Sequence, residues 1–184
     1  MPTTAPDSMP IGTTAPDFTL PDVVSHGPQA LAEFPAESAL LVMFICAHCP
    51  YVVHVRDELV ELAKDYQGRG VGFLAISAND AVKYPDDSPE KLRVMAVEAD
   101  FPFPMLYDES QDVARAYTAA CTPDFFLFDG DRKLTYRGRL DESTPGNGKP
   151  VDGADLRRAI DATLAKAPVP TPHSPSLGCS IKWK

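Results

Sequence analysis

Two uninterrupted apolar runs constrain this chain more than anything else in it: ALLVMFI at 39–45 and VGFLAIS at 71–77, the second entered through Gly68-Arg69-Gly70. Strands with one face in water alternate apolar and polar residues. Continuous apolarity marks strands covered on both faces, the usual state of a parallel sheet. Between the runs, residues 50–66 carry Val53, Leu59, Leu62 and Ala63 at mixed three- and four-residue spacing, which predicts a helix. Strand, helix and strand then form a βαβ unit, which closes with a right-handed crossover.

The rest of the chain extends that unit. Pro89, directly after Ser88, reads as the first residue of a second helix running to Ala99. FPFPML (101–106) is a short extended piece, and 109–119 is helical. DFFLF (124–128) and LTYRGRL (134–140) flank the turn-rich Asp129-Gly130-Asp131-Arg132 and read as an antiparallel hairpin. Residues 153–167 close the series as a helix with Leu156, Ile160 and Leu164 on one face. The expected fold is α/β, a mixed central sheet flanked by helices. At 184 residues the chain is long enough for one well-buried core. Nineteen prolines are unevenly spread, and four fall in APVPTPHSP at 167–175. The expected organisation is therefore one domain over 1–166 and an extended, proline-rich tail over 167–184.

Charge removes several function classes. Net charge is −9 and no Lys/Arg cluster exists to neutralise phosphates, so neither nucleic acid nor an anionic membrane surface is an expected partner. The longest apolar run falls well short of the roughly 20 residues of a membrane-spanning helix. MPTTAPDSMPIG lacks the basic and apolar regions of a secretory signal. The expected location is cytoplasmic, where closely spaced cysteines are more often catalytic or metal-binding than structural.

Two of the four cysteines lie in FICAHCPYVV at 44–53. Pro50 is suited to the first helical position, because its missing N–H would be unpaired there anyway. That puts Cys49 at the N-cap, facing free N–H groups and the positive end of the helix dipole, where a thiolate is favoured. Cys49 is the expected nucleophile. Cys46 sits just outside, at the strand end. His48 has three readings: an exposed turn residue, a group that tunes Cys49, or a metal ligand beside Cys46 and Cys49. A closed zinc site would need a fourth ligand from elsewhere.

Three stretches resemble the thioredoxin superfamily, in particular its peroxiredoxin-like branch of alkyl hydroperoxide reductases and thiol-specific antioxidants. GTTAPDFTLPDV (12–23) resembles the opening segment of peroxiredoxins; FICAHCP stands where the superfamily keeps its active-site turn; CTPDFFLFD (121–129) resembles the segment whose proline is cis and faces the active cysteines. The chain is also similar to a bacterial thioredoxin-family group ending in a segment like SLGCSIKWK (176–184). The register departs from the superfamily: counting from Phe44, its first cysteine lands on Cys49 and its second on Val52. The peroxiredoxin pattern would also need proline at Val42 and threonine at Cys46.

The resemblance implies a thioredoxin-like fold and a thiol–disulfide oxidoreductase or peroxiredoxin-like antioxidant. Cys49 would attack, Cys46 or Cys121 would resolve, and Thr122, Pro123 and His48 would line the substrate groove. No cofactor is implied. The partners would be a protein disulfide or a peroxide as substrate and a thiol reductant, and a homodimer is compatible with the chain. The alternatives are copper or zinc binding and delivery through Cys46, Cys49 and His48, and a non-catalytic redox sensor. Cys179 has two readings, a thiol folded back to the site or a free surface thiol. Arg137 and Arg139 share a strand side that reads as solvated, and Asn79-Asp80 reads as a cap.

Overall fold

The computed structural model describes residues 8–184, so the first seven residues of the stretch read as lacking a signal lie outside the described residues. The two apolar runs form β3 (Ala39–Phe44) and β4 (Val71–Ser77), paired in parallel from Ala39↔Val71 to Phe44↔Ile76. They are joined by α1 (Pro50–Gln67). With β5 (Met105–Tyr107), β7 (Asp124–Asp129) and β8 (Leu134–Gly138) they make a five-stranded sheet in the order β5-β4-β3-β7-β8. β7 runs antiparallel to both β3 and β8, so the sheet is mixed and the predicted hairpin is present. Two further short strands, β1 (Thr19–Pro21) and β2 (Pro28–Ala30), pair with each other, and β6 (Cys121–Thr122) pairs with β9 (Cys179–Ser180).

The continuous apolarity has the expected cause. Leu41, Met43 and Ile45 point into one core with α1, α2 (Pro89–Glu98) and α4 (Ala154–Leu164). Leu40, Val42 and Phe44 point into a second core on the opposite face, with Phe18, Leu20 and Tyr117. Tyr117 follows α3 (Asp112–Ala116), which is shorter than the predicted helix, and its fully buried ring meets Phe44, Phe126 and Phe128 at centroid separations of 5.6–6.0 Å. The buried stripe of α1 is Val52, Val55, Leu59, Leu62 and Ala63, while Val53 faces outward at 49% exposure. Truncating a fully buried leucine such as Leu59 costs about 2–5 kcal/mol, because both its transfer energy and its packing are lost.

The C-terminal segment does not leave the body. Arg139 N–H donates to the Ser174 carbonyl at 3.0 Å, and His173 packs on Tyr136 with ring centroids 4.8 Å apart. Ser176 is fully buried, its hydroxyl 2.8 Å from Asp124 Oδ1 and 2.7 Å from the Gly138 carbonyl. β9 then lies antiparallel to β6 in the register Cys121↔Ser180 and Thr122↔Cys179. This pairing needs glycine at 178, where a Cβ would stand 2.0 Å from the Thr122 carbonyl oxygen. Beyond it Ile181 is buried, Lys182 N–H donates to Asn79 Oδ1 at 2.8 Å, and the Arg115 guanidinium lies 4.6 Å over the Trp183 ring.

Candidate active site

Cys49 is the N-cap of α1 and Pro50 is at its first position, as the local sequence dictates. The Cys49 carbonyl accepts from Val52 and Val53 N–H at 3.0 Å each, which starts the helix. β3 ends at Phe44, whose register partner on β7 is Asp124. That pairing sets the turn 45–49 beside the segment just before Asp124, which contains the cis peptide Thr122–Pro123.

Four groups converge. As a thiol, Cys49 donates to the Thr122 carbonyl at 3.2 Å. Cys46 Sγ is 3.4 Å from Thr122 Oγ1. Hydrogen bonding from Cys46 lowers the Cys49 pKa to about 4, with further lowering from Cys179 and the Val52 N–H and opposition from burial. The Cys46 thiol is pushed the other way, by that same bond to Cys49, by burial and by the nearby Asp87 charge. One thiolate among neighbouring thiols is the preferred state, since a second negative sulfur would meet the first without water between them. Cys179 is pushed up to about 11, first by burial and then by its hydrogen bond to Cys49.

The turn is fastened by a residue that local sequence reading passed over. Asp87, fully buried in a short 3-10 turn before α2, accepts from Ala47 N–H at 2.9 Å and His48 N–H at 3.1 Å through Oδ1. Its Oδ2 meets His48 Nδ1 at 2.5 Å and Asn79 Nδ2 at 2.7 Å. Asn79 therefore ties the active-site turn to the C-terminal backbone at Lys182, which is more than the cap expected of it. Nothing in the local pattern around Asp87 marks it; only its burial and its four donors do.

The other expected residues fall as follows. His48 is held by Asp87 and stacks parallel on Tyr84 with centroids 6.3 Å apart, so its ring is turned to the carboxylate. Among the described residues, the groups whose ligand atoms approach one another within 4.8 Å are Cys46, His48 and Asp87, and each already has a hydrogen-bond partner. The metal alternative rested instead on Cys46, Cys49 and His48. Cys121 is fully buried, its thiol directed to the Pro123 carbonyl at 3.7 Å, and burial with the Asp124 charge raises its pKa. Thr122 touches both Cys46 and Cys49. Pro123 and Tyr51 form part of the wall of a cavity of about 280 Å³, whose other walls are Val55, Phe125, Leu140, Leu177 and the loop 141–144.

Arg137 corrects the expectation of a solvated strand side. It is 7% exposed, and its guanidinium pairs with the fully buried Asp124 at 3.1 Å and lies 4.6 Å over the Phe126 ring. The guanidinium also donates to Thr118 Oγ1 at 3.0 Å and to the Thr118 carbonyl at 2.7 Å, so protein acceptors replace the water the sequence pattern leads one to expect. Arg139, further along, does reach the rim, bonded to Asp155 at 2.6 Å.

Fold and site together define a thioredoxin-like protein with a helix-capping cysteine facing a cis-proline segment. Residues 11–137 match the AhpC/TSA family model, and the chain belongs to the AhpC/TSA family. It is similar to an uncharacterized conserved protein of Geobacillus kaustophilus, with 52% identity, a TM-score of 0.95, and coverage of 100% of this chain and 97% of the other. A hypothetical protein of Sinorhizobium meliloti shares 48% identity at a TM-score of 0.93, over 97% of each chain. The thiol-disulfide oxidoreductase ResA of Geobacillus kaustophilus is 28% identical over 134 residues, 71% of each chain.

Proposed function

We propose that this chain is a thiol–disulfide oxidoreductase with Cys49 as its nucleophile. The observation that carries the reading is the placement of Cys49: N-cap of an 18-residue helix, 3.2 Å from the Thr122 carbonyl, with its pKa lowered to about 4. Membership of the AhpC/TSA family and the likeness to a thiol-disulfide oxidoreductase support it. The Cys49 thiolate attacks one sulfur of a protein disulfide, forms a mixed disulfide and releases the other sulfur as a thiolate. With a peroxide, the same thiolate takes one oxygen and becomes a sulfenic acid, and the alcohol or water leaves. A second thiol of the chain then displaces the bound group and closes an internal disulfide, which an external thiol reductant opens again in a reducing compartment. Thr122 and Pro123 line the approach to Cys49.

The test is disulfide reduction and peroxide consumption by the parent and by Cys49→Ser. Loss of both activities in the variant, with an unchanged thermal unfolding curve, is the expected result. Retention of both would sink the reading.

A further inference from the structure

Cys46, Cys121 and Cys179 all lie near Cys49, and the structure treats them differently. Cys46 and Cys121 are 1% and 0% exposed, whereas Cys179 is half-buried. Cys46 also sits in a turn whose Ala47 and His48 N–H groups are both held by Asp87. Any shift of its backbone must strain or break those bonds. Cys121 directs its thiol to the Pro123 carbonyl. Cys179 stands in a two-residue strand, opposite the very residue whose carbonyl touches Cys49 Sγ, and its side chain packs against the core cluster that holds Cys49.

A disulfide requires its sulfurs to close to about 2.05 Å, so at least one partner must shift from hydrogen-bonding distance. A short edge strand shifts more cheaply than a turn pinned by a buried carboxylate. We propose that Cys179, brought in by the folded-back C-terminal segment, is the thiol that resolves the Cys49 intermediate. This rests on the reading of Cys49 as nucleophile. Of the three flanking thiols, Cys179 is also the one raised least, to about 11, with Lys182 acting to lower it.

The chemistry balances. In the mixed disulfide Cys49–S–S–R, the Cys179 sulfur attacks the Cys49 sulfur. A Cys49–Cys179 bond forms, the bond to R breaks, and R leaves as a thiolate that takes the Cys179 proton. The substrate disulfide has gained two electrons and the two cysteines have lost them. When the intermediate is a sulfenic acid, the leaving group is water.

Dithiodipyridine tests the step, because attack and resolution each release one coloured thiopyridone. The parent is expected to release both quickly and to yield a Cys49–Cys179 peptide pair on non-reducing digestion and mass spectrometry. Cys179→Ser is expected to keep the first release and slow the second at least about tenfold, as the intramolecular advantage is lost. Cys46→Ser is expected to slow the first release, because its thiol helps to lower the Cys49 pKa, and still to yield the Cys49–Cys179 peptide pair. Trp183, the one tryptophan of the chain, sits four residues after Cys179 and offers a second readout. Its fluorescence is expected to change on oxidation of the parent and not of Cys179→Ser. A Cys46–Cys49 or Cys49–Cys121 pair in the parent digest, with two fast releases from Cys179→Ser, overturns this inference and leaves Cys49 as nucleophile. Parent-like release from Cys49→Ser overturns both.

Discussion

Gly178→Ala is the sharpest perturbation of the site that avoids every cysteine. A Cβ at 178 would lie 2.0 Å from the Thr122 carbonyl oxygen, 2.7 Å from its carbon and 3.2 Å from Pro123 Cδ. Relaxed carbon–oxygen contacts are about 3.3–3.6 Å, so β9 must retreat by more than about 1 Å. The obstacle is backbone, and the chain entering β6 is tied to the buried Asp124 through the Ala120 N–H at 3.3 Å, so the C-terminal segment is the part that yields. The bond from Ile181 N–H to the Ala120 carbonyl is already 3.2 Å long, and a retreat of that size takes it out of range. Losing that bond and one from the β6–β9 ladder costs about 1–3 kcal/mol at 0.5–1.5 kcal/mol each. For a chain of this size that lowers Tm by roughly 2–12 °C.

The same retreat withdraws Cys179 from Cys49, removing one of the bonds that lowers its pKa, so the Cys49 midpoint is expected to rise. Thermal unfolding gives the first quantity, and thiolate absorbance against pH gives the second. Gly68→Ala is the control: its backbone is right-handed helical and nothing lies within 4 Å of an added Cβ, so its stability should change little or rise by about 0.4–1 kcal/mol. If Gly178→Ala unfolds and titrates like the parent while Gly68→Ala behaves as described, the C-terminal segment is not seated against Thr122 and the reasoning fails.

Three further outcomes are expected. Titrated by thiolate absorbance, the parent should show one thiol with a midpoint near pH 4; a midpoint above pH 7 would contradict the Cys49 environment. Because that pKa lies below the roughly 8.5 of an unfolded cysteine, its stability contribution is fully present above about pH 8.5 and is lost as pH falls toward 4, so Cys49→Ser should flatten the stability–pH curve in that window. Asp87→Asn removes the charge that helps to raise the Cys46 pKa and weakens the anchoring of the turn; denaturant unfolding should show a loss of about 1–3 kcal/mol, and Cys46 should titrate at lower pH than in the parent. Arg137→Met strands a fully buried Asp124 without its cation and should cost about 3–5 kcal/mol in the same assay, whereas Arg139→Met, on the rim, should cost about 1 kcal/mol or less.

What the sequence determined by itself is what depends on near neighbours. The runs 39–45 and 71–77 declare strands covered on both faces because every residue in them must avoid water, and both cores are there. Pro50 after Cys49 declares a helix start because proline lacks the N–H a helix interior needs, and Cys49 is at the cap. The Thr122-Pro123 resemblance led to the cis bond. Tertiary structure decided what comes from far along the chain. It turned His48 to Asp87, buried Arg137 against Asp124, and seated Cys179 opposite Thr122. None of these has a period or a cap to announce it. Each follows from which surfaces are left to pair once the sheet has formed, and of the two readings open for the C-terminal segment the folded-back one holds, because Gly178 lets its backbone approach Thr122 and Ser176, Ile181 and Lys182 hold it there.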